Sequence, residues 1–189
     1  MTAVVEQATR ATAIDGLVVI TMKQVSDERG TIREYFRRSA FLATGLPEID
    51  PFVQINVTES RRGAVRGLHG EAMTKIVAVV AGEAFGAYVD LRPDSSTRGA
   101  IETVDLSPGV QVLVPSGVAN GFQALVDGTQ YVYCFDEEWR PDMKGASCNP
   151  LDPALRIEWP LPIDPEDRAQ VSAKDVGAPM LRDALQVAP

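Results

Sequence analysis

The chain of 189 residues contains one histidine, His69, and two cysteines, Cys134 and Cys148. A catalytic zinc held by three imidazoles is therefore impossible within one chain, and two cysteines set neither a disulfide framework nor a zinc spacing. Free thiols in a reducing, cytoplasmic setting are the expectation. Long apolar runs are missing as well, since none approaches the roughly 18–20 residues that span a bilayer. The first sixteen residues mix Glu6, Arg10 and Asp15 into small side chains, which is unlike a signal peptide. Basic charge is scarce: 18 Lys+Arg face 26 Asp+Glu, giving a net charge of −8 and a pI near 4.7. Such a chain lacks the basic face with which a sequence-independent nucleic-acid binder displaces counterions. Polymeric nucleic acid and membrane are thereby set aside as partners.

What is present describes an ordinary globular protein. Hydrophobic residues make up 45% of the chain, charged residues 23%, and mean hydropathy is −0.04, enough for one domain over residues 1–189 to bury a core. The acid is unevenly placed. Residues 1–126 carry 12 basic and 14 acidic side chains, and residues 127–189 carry 6 and 12, so an anionic ligand fits the first two thirds better.

From Leu17 to Tyr133 short strands alternate with turn signals, the spacing of a sandwich or barrel. The predicted strands are Leu17–Met22, Thr31–Phe36, Phe52–Glu59, Lys75–Ala81, Glu83–Asp90, Gly99–Leu106, Gln111–Val114, Gly121–Leu125 and Gln130–Phe135. Turns are written at Glu28-Arg29-Gly30, Pro93-Asp94-Ser95-Ser96, Ser107-Pro108-Gly109, Pro115-Ser116-Gly117 and Asp127-Gly128. The continuous run Leu17-Val18-Val19-Ile20 suits a buried or interface strand. Ser39–Thr44 and Ala178–Val187 are the predicted helical pieces, and the Pro- and acid-rich stretch Trp139–Asp167 is predicted to wrap over the barrel. No βαβ rhythm appears, which argues against a Rossmann fold. The expected class is all-β: a jelly roll of two packed antiparallel sheets over residues 17–135, with the wrap and a short helix over 136–189.

The chemistry-bearing residues concentrate in a few short segments. Alternation puts Gln54 and Asn56 on one strand face and Val53, Ile55 and Val57 on the other, which suits either a pocket wall or a solvent face. Arg66 and His69 lie three residues apart between Gly67 and Gly70, so on an irregular strand both reach one cavity, and a guanidinium matches a diphosphate. A hydrogen-bonded structural histidine is the plainer alternative. Tyr131 and Tyr133 share a strand face, where core packing is the usual fate.

Taken in order, these segments resemble one family. Asp27-Glu28-Arg29-Gly30, Glu34, Gln54-Ile55-Asn56, Arg66-Gly67-Leu68-His69, Lys75-Ile76-Val77, Val89-Asp90-Leu91-Arg92, Val114-Pro115-Ser116-Gly117, Tyr133, Ile157-Glu158-Trp159-Pro160 and Ser172-Ala173-Lys174-Asp175 are similar to the dTDP-4-dehydrorhamnose 3,5-epimerases, cupin-type jelly-roll enzymes of deoxysugar biosynthesis. The likeness spans about Gly16 to Leu181. It implies that His69 is a general base, Asp175 its dyad partner and Tyr133 the general acid across the sugar ring. It also implies ligand contacts from Arg29, Glu34, Gln54, Asn56, Arg66, Lys75, Lys174 and Asn120, and a homodimer acting on a nucleotide sugar without cofactor or metal. Three departures stand out against the family pattern. Gly70-Glu71-Ala72-Met73-Thr74 shortens the stretch between His69 and Lys75, Ala119-Asn120-Gly121-Phe122 lacks the family's histidine, and Lys144 stands where a glutamate is common.

The implied chemistry suits the residues. A C4 ketone acidifies the hydrogens on C3 and C5, so a base on one side and an acid on the other invert a centre through an enolate. Imidazole, with an ordinary pKa near 6.5, is a suitable base at neutral pH, and a carboxylate on its second nitrogen fixes the tautomer. Lys75 or Arg66 would offset the oxyanion. A C3-only or C5-only epimerase and a non-catalytic sugar-nucleotide-binding module remain open on the residues. A metal-dependent cupin is disfavoured by the single histidine.

Overall fold

The computed structural model describes residues 2–46 and 52–187. Strands are numbered along the chain. A six-stranded sheet runs in the order β2 (Ala8–Ala11), β3 (Val18–Thr21), β11 (Val110–Val114), β8 (Lys75–Ala81), β13 (Thr129–Phe135) and β6 (Gln54–Ser60). A five-stranded sheet runs β10 (Ile101–Leu106), β9 (Ala84–Asp90), β12 (Val118–Ala124), β7 (Val65–Glu71) and β14 (Gly145–Ser147). A third, small sheet orders β1 (Ala3–Val5), β4 (Lys23–Asp27) and β5 (Gly30–Glu34). Every ladder between these strands is antiparallel. Two sheets packed face to face are the expected jelly roll, with cupin-type architecture.

The interior between the sheets comes from alternate residues of facing strands. Val77, Val79, Val112, Val114 and Tyr131 meet Tyr88, Val104, Leu106, Val118, Phe122 and Ala124. The remaining residues of the central strands are buried on the outer faces, and this is why Ile76-Val77-Ala78-Val79 reads as an unbroken apolar run. Outside the six-stranded sheet, Ile20, Ile76, Leu113 and Val132 are covered by Phe41 on helix α1 (Arg38–Ala43) and by Leu46. Outside the five-stranded sheet, Leu68, Ala87, Val89 and Leu91 are covered by the C-terminal wrap through Cys148, Leu155, Ile157, Trp159 and helix α3 (Leu181–Val187). The wrap is pinned by polar bonds. The Gln123 amide donates to the Leu161 carbonyl and accepts its N–H, both at 2.9 Å, and the Trp159 indole donates to Pro150 O at 3.0 Å. Both cysteines are free and buried; burial raises the Cys134 thiol and pushes Cys148 up to about 12.

All nine predicted strands are present, with ends shifted by a few residues. Five more lie outside that prediction. β1 and β2 are exposed along their whole length and so carry no alternation, β4 is polar and half-exposed, and β14 has three residues. The predicted helical pieces are α1 and α3, and a four-residue helix α2 (Ala173–Val176) was not foreseen.

The fifth additional strand, β7, hides its period for a physical reason. Asn120 pairs with His69 but Phe122 pairs with Arg66, so Gly67 and Leu68 together oppose Gly121. This bulge turns a three-residue step into a same-face step, which a regular strand cannot do. Gly67 sits at φ +120°, and a Cβ there would stand 2.5 Å from Gly121 Cα and 2.7 Å from Asn120 O. No side chain can yield, because both obstacles are backbone. Gly67→Ala is expected to destabilise the fold by about 1–3 kcal/mol or more from strain alone, read as a lowered denaturation midpoint. A midpoint equal to the parent's would refute the close-packed bulge.

Candidate active site

The bulge delivers Arg66, His69 and Glu71 to one wall of a cavity of about 360 Å³. Asn120, the register partner of His69, adds to that wall from β12. The facing wall comes from the other sheet: Asn56 and Thr58 on β6, and Tyr133 and Phe135 on β13. Trp139, Ser172, Lys174 and Asp175 close the rim from the wrap and α2. The cavity therefore lies between side chains contributed by both sheets. A second hollow of about 310 Å³ adjoins it, sharing His69, Glu71, Trp139 and Lys174 and adding Arg140 and Lys144.

His69 and Asp175 are bonded. Nε2 of the imidazole lies 2.7 Å from Oδ1 of Asp175, which is buried on α2. Ser172 caps that helix, its Oγ accepting the Asp175 N–H at 3.1 Å. Burial pushes the Asp175 carboxyl up, but the bonds from His69, Ser172 and the Gly67 backbone outweigh it, and the group sits below its usual range. An ionised Asp175 accepts from Nε2–H, which leaves the Nδ1 lone pair without a partner among the described residues. His69 is half-buried and its ring meets the cavity.

Tyr133 belongs to an aromatic file along one face of β13. Tyr131 stacks on Phe122 in the core at 4.0 Å between ring centroids, Tyr133 follows it at 4.9 Å, and Phe135 stacks on Tyr133 at 5.7 Å. The shared face foreseen for the two tyrosines is thus real, but they divide it: Tyr131 is core and Tyr133 is cavity wall. Burial raises the Tyr133 phenol well above its usual range, Arg66 pulls it back, and Glu71 and Asp175 add to the rise. The phenol is held protonated across ordinary pH, and Tyr133 and His69 line the same cavity.

The other expected ligand contacts divide. Asn56, Arg66, Asn120 and Lys174 line the cavity. Arg66 donates Nε to Ser60 Oγ at 3.0 Å, which fixes its stem, and Asn120 is buried, with Nδ2 3.4 Å from the Tyr131 hydroxyl. Gln54 stands beside the cavity, donating to Asn56 Oδ1 at 3.1 Å and accepting the Trp139 N–H at 2.8 Å. Arg29 lies outside the cavity on the β4–β5 hairpin, its Nη2 and Nε both donating to Asp27 Oδ2 at 2.5 and 3.1 Å, and Glu34 lies outside it too, paired with Arg37. Lys75 does not line the cavity. It is buried at 2% side-chain exposure, its ammonium bonded to Glu71 and to His69 O at 3.4 Å. Burial lowers the Lys75 pKa while Glu71 pulls it up.

Thr58, Glu71, Phe135, Trp139 and Ser172 line the cavity without having been foreseen. Thr58 and Phe135 were legible, since each lies two residues from a named candidate on its strand. Glu71 was legible in the same way from His69. Among the described residues no three His, Cys, Asp or Glu side chains converge to hold a metal ion, and no helix is long and apolar enough to cross a membrane.

The family model for dTDP-4-dehydrorhamnose 3,5-epimerase matches residues 11–183. The chain belongs to that family. It is accordingly an isomerase of the carbohydrate-epimerase kind. The dTDP-4-dehydrorhamnose 3,5-epimerase of Salmonella typhimurium is 36% identical over 180 residues, covering 92% of this chain and 95% of that protein. A dTDP-4-dehydro-6-deoxyglucose 3-epimerase from a Streptomyces species is also 36% identical, over 167 residues, covering 84% of this chain and 81% of its own length. Among solved structures, the dTDP-6-deoxy-D-glucose-3,5-epimerase of Legionella pneumophila in complex with dTDP-4-keto-L-rhamnose superposes with a TM-score of 0.82 at 35% identity, covering 94% of each chain.

Within this epimerase fold the Glu71–Lys75 pair has unequal halves. Glu71→Ala leaves an ammonium buried without a counter-charge and is expected to cost about 3–5 kcal/mol. Lys75→Met leaves a carboxylate that is 22% exposed and can hydrate, at a cost of about 1 kcal/mol. The Glu71→Ala deficit has a defined pH sign. A buried lysine with lowered pKa binds fewer protons folded than unfolded, so the deficit is full below the lowered folded value, shrinks as pH rises from there, and is gone by the unfolded value of about 10.4. Urea midpoints of both variants between neutral and alkaline pH check the order; equal costs would remove the buried-ammonium account.

Proposed function

We propose that the chain inverts C3 and C5 of a dTDP-linked 4-keto-6-deoxyhexose, by proton removal and return through an enolate, in deoxysugar biosynthesis. The observation that carries this reading is the 2.7 Å His69–Asp175 bond at a cavity whose facing sheet supplies a protonated Tyr133. His69 takes the proton on Nδ1, and the imidazolium that forms stays bonded to the Asp175 carboxylate. Tyr133, on the opposite sheet, returns a proton to the other face of the ring. A phenol raised by burial is a weak acid against water but a competent one against an enolate carbon. Arg66 offsets the charge on O4, since Lys75 is bound to Glu71 under the wall. Asn56, Asn120 and Lys174 bind the nucleotide sugar, and none of these steps calls for a cofactor.

Inversion at C3 alone is the second reading. It is favoured by the Streptomyces 3-epimerase, which is as identical to this chain as the Salmonella 3,5-epimerase, 36% in each case. Incubation with dTDP-4-keto-6-deoxyglucose in heavy water separates the two. Deuterium at both C3 and C5 of recovered material is expected, and deuterium at C3 alone would replace the double epimerase with the single one. His69→Ala should lower exchange at both centres by roughly 10²–10⁴-fold. Tyr133→Phe should depress product formation far more than exchange. Wild-type exchange in His69→Ala would end the mechanism.

A homodimer accompanies this reading. β6 is an edge of the six-stranded sheet, and its outward face shows Val53, Ile55 and Val57 at 55%, 62% and 59% exposure. A second copy covering that row would remove both the apolar surface and the open ladder from water. Light scattering should give twice the chain mass of 20.4 kDa, and Ile55→Lys should halve it. A monomeric parent at micromolar concentration would contradict the dimer.

A further inference from the structure

Asp175 can orient His69 only if a helix of four residues is held still. So short a helix has no stability of its own, and its direction is set by whatever grips its ends. The leading end of α2 is gripped by the Ser172 cap and by the parallel bridge between Val171 and Val65 of β7. The trailing end is gripped by a side chain from the wrap. Asn149 is 5% exposed; its Nδ2 donates to Val176 O, the last residue of α2, at 2.7 Å, and its Oδ1 accepts the Leu151 N–H at 2.9 Å. Its backbone N–H donates to Pro179 O at 2.8 Å, just beyond the helix.

The other side of Asn149 is fastened to the strand of the histidine. Its neighbour Cys148 exchanges two backbone bonds with Leu68, at 3.1 and 3.2 Å, and Ser147 is the register partner of His69. Asn149 thus bonds to α2 itself and follows directly on Cys148, whose backbone is bonded to β7.

We propose that Asn149 is a positioning residue of the dyad, setting the separation of α2 from β7 so that the Asp175 carboxylate meets Nε2 of His69. The proposal rests on the reading of His69 and Asp175 as the base and its partner. Without the Nδ2 donor the last turn of α2 loses its tie, Asp175 drifts, and the tautomer that frees Nδ1 is no longer enforced.

The single histidine makes the test direct, because every imidazole NMR signal belongs to His69. The variants are Asn149→Ala and Asn149→Asp, the second keeping size and the acceptor to Leu151 while losing the donor. Gln123→Ala is the control, removing another buried amide that clamps the same wrap by two 2.9 Å bonds, at Leu161. In labelled parent protein the Nε2–H proton held by Asp175 should give a downfield, slowly exchanging signal. That signal should be lost or shifted in both Asn149 variants and unchanged in Gln123→Ala. In parallel, kcat should fall by roughly 10–100-fold with KM within about twofold. A folded Asn149 variant with the parent's His69 signal and kcat overturns the proposal, and so does an equal change in Gln123→Ala. If the signal shifts as expected but the parent itself exchanges no substrate protons, the positioning role stands and the epimerase reading falls.

Discussion

Everything at the cavity depends on how closely two backbones approach at Gly67 and Gly121. Each lacks a side chain where one would collide with the other strand: at Gly121 a Cβ would stand 2.6 Å from Arg66 O, and at Gly67 a Cβ would stand 2.5 Å from Gly121 Cα. That contact lets β7 take an extra residue against β12 without parting from it. The extra residue turns Arg66 toward the face that His69 and Glu71 already occupy. A regular strand would bury the guanidinium on the far side, under the wrap, where it would face Leu68 and Cys148 with no counter-charge.

The fold was largely legible because the sandwich is buried on both faces at its centre and alternates at its edges. Lys75–Ala81 and Glu83–Asp90 read as strands from apolar runs ended by glycine and turn residues. The dyad was legible only through resemblance, since His69 and Asp175 are 106 residues apart and no local period links them. Two things were hidden. One was the bulge, which breaks the very period by which strands are recognised. The other was the burial of Lys75, which the sequence offers as a ligand contact and which the structure pairs with Glu71. Arg29 and Glu34 show a related limit: short motifs name residues, but the fold decides which surface they occupy, and here both lie on the small third sheet and its edge.

Electrostatics divide the molecule in the way the charge count anticipates. The C-terminal stretch carries most of the acidic excess, yet it contributes Asp175 and Lys174 to the rim, one buried as a partner for the imidazole and one exposed. Glu71 would be an odd choice for a wall meant to meet an anion. Its charge is offset from beneath by Lys75, so the pair is neutral overall and Arg66 remains the uncompensated charge on that wall. The same pair braces the bend between β7 and β8.

The burial of the two thiols has a consequence at the opposite end of the chemistry. Cys148 is packed on the inner side of the wrap, against the sheet, with its thiol pushed up to about 12, and Cys134 is raised by burial beneath α1. Neither offers a thiolate to an oxidant or an alkylating reagent while the wrap and α1 stay in place. The two thiols of this protein are therefore sealed gauges of its two outer layers: their modification records how often each layer lifts, and says nothing about turnover.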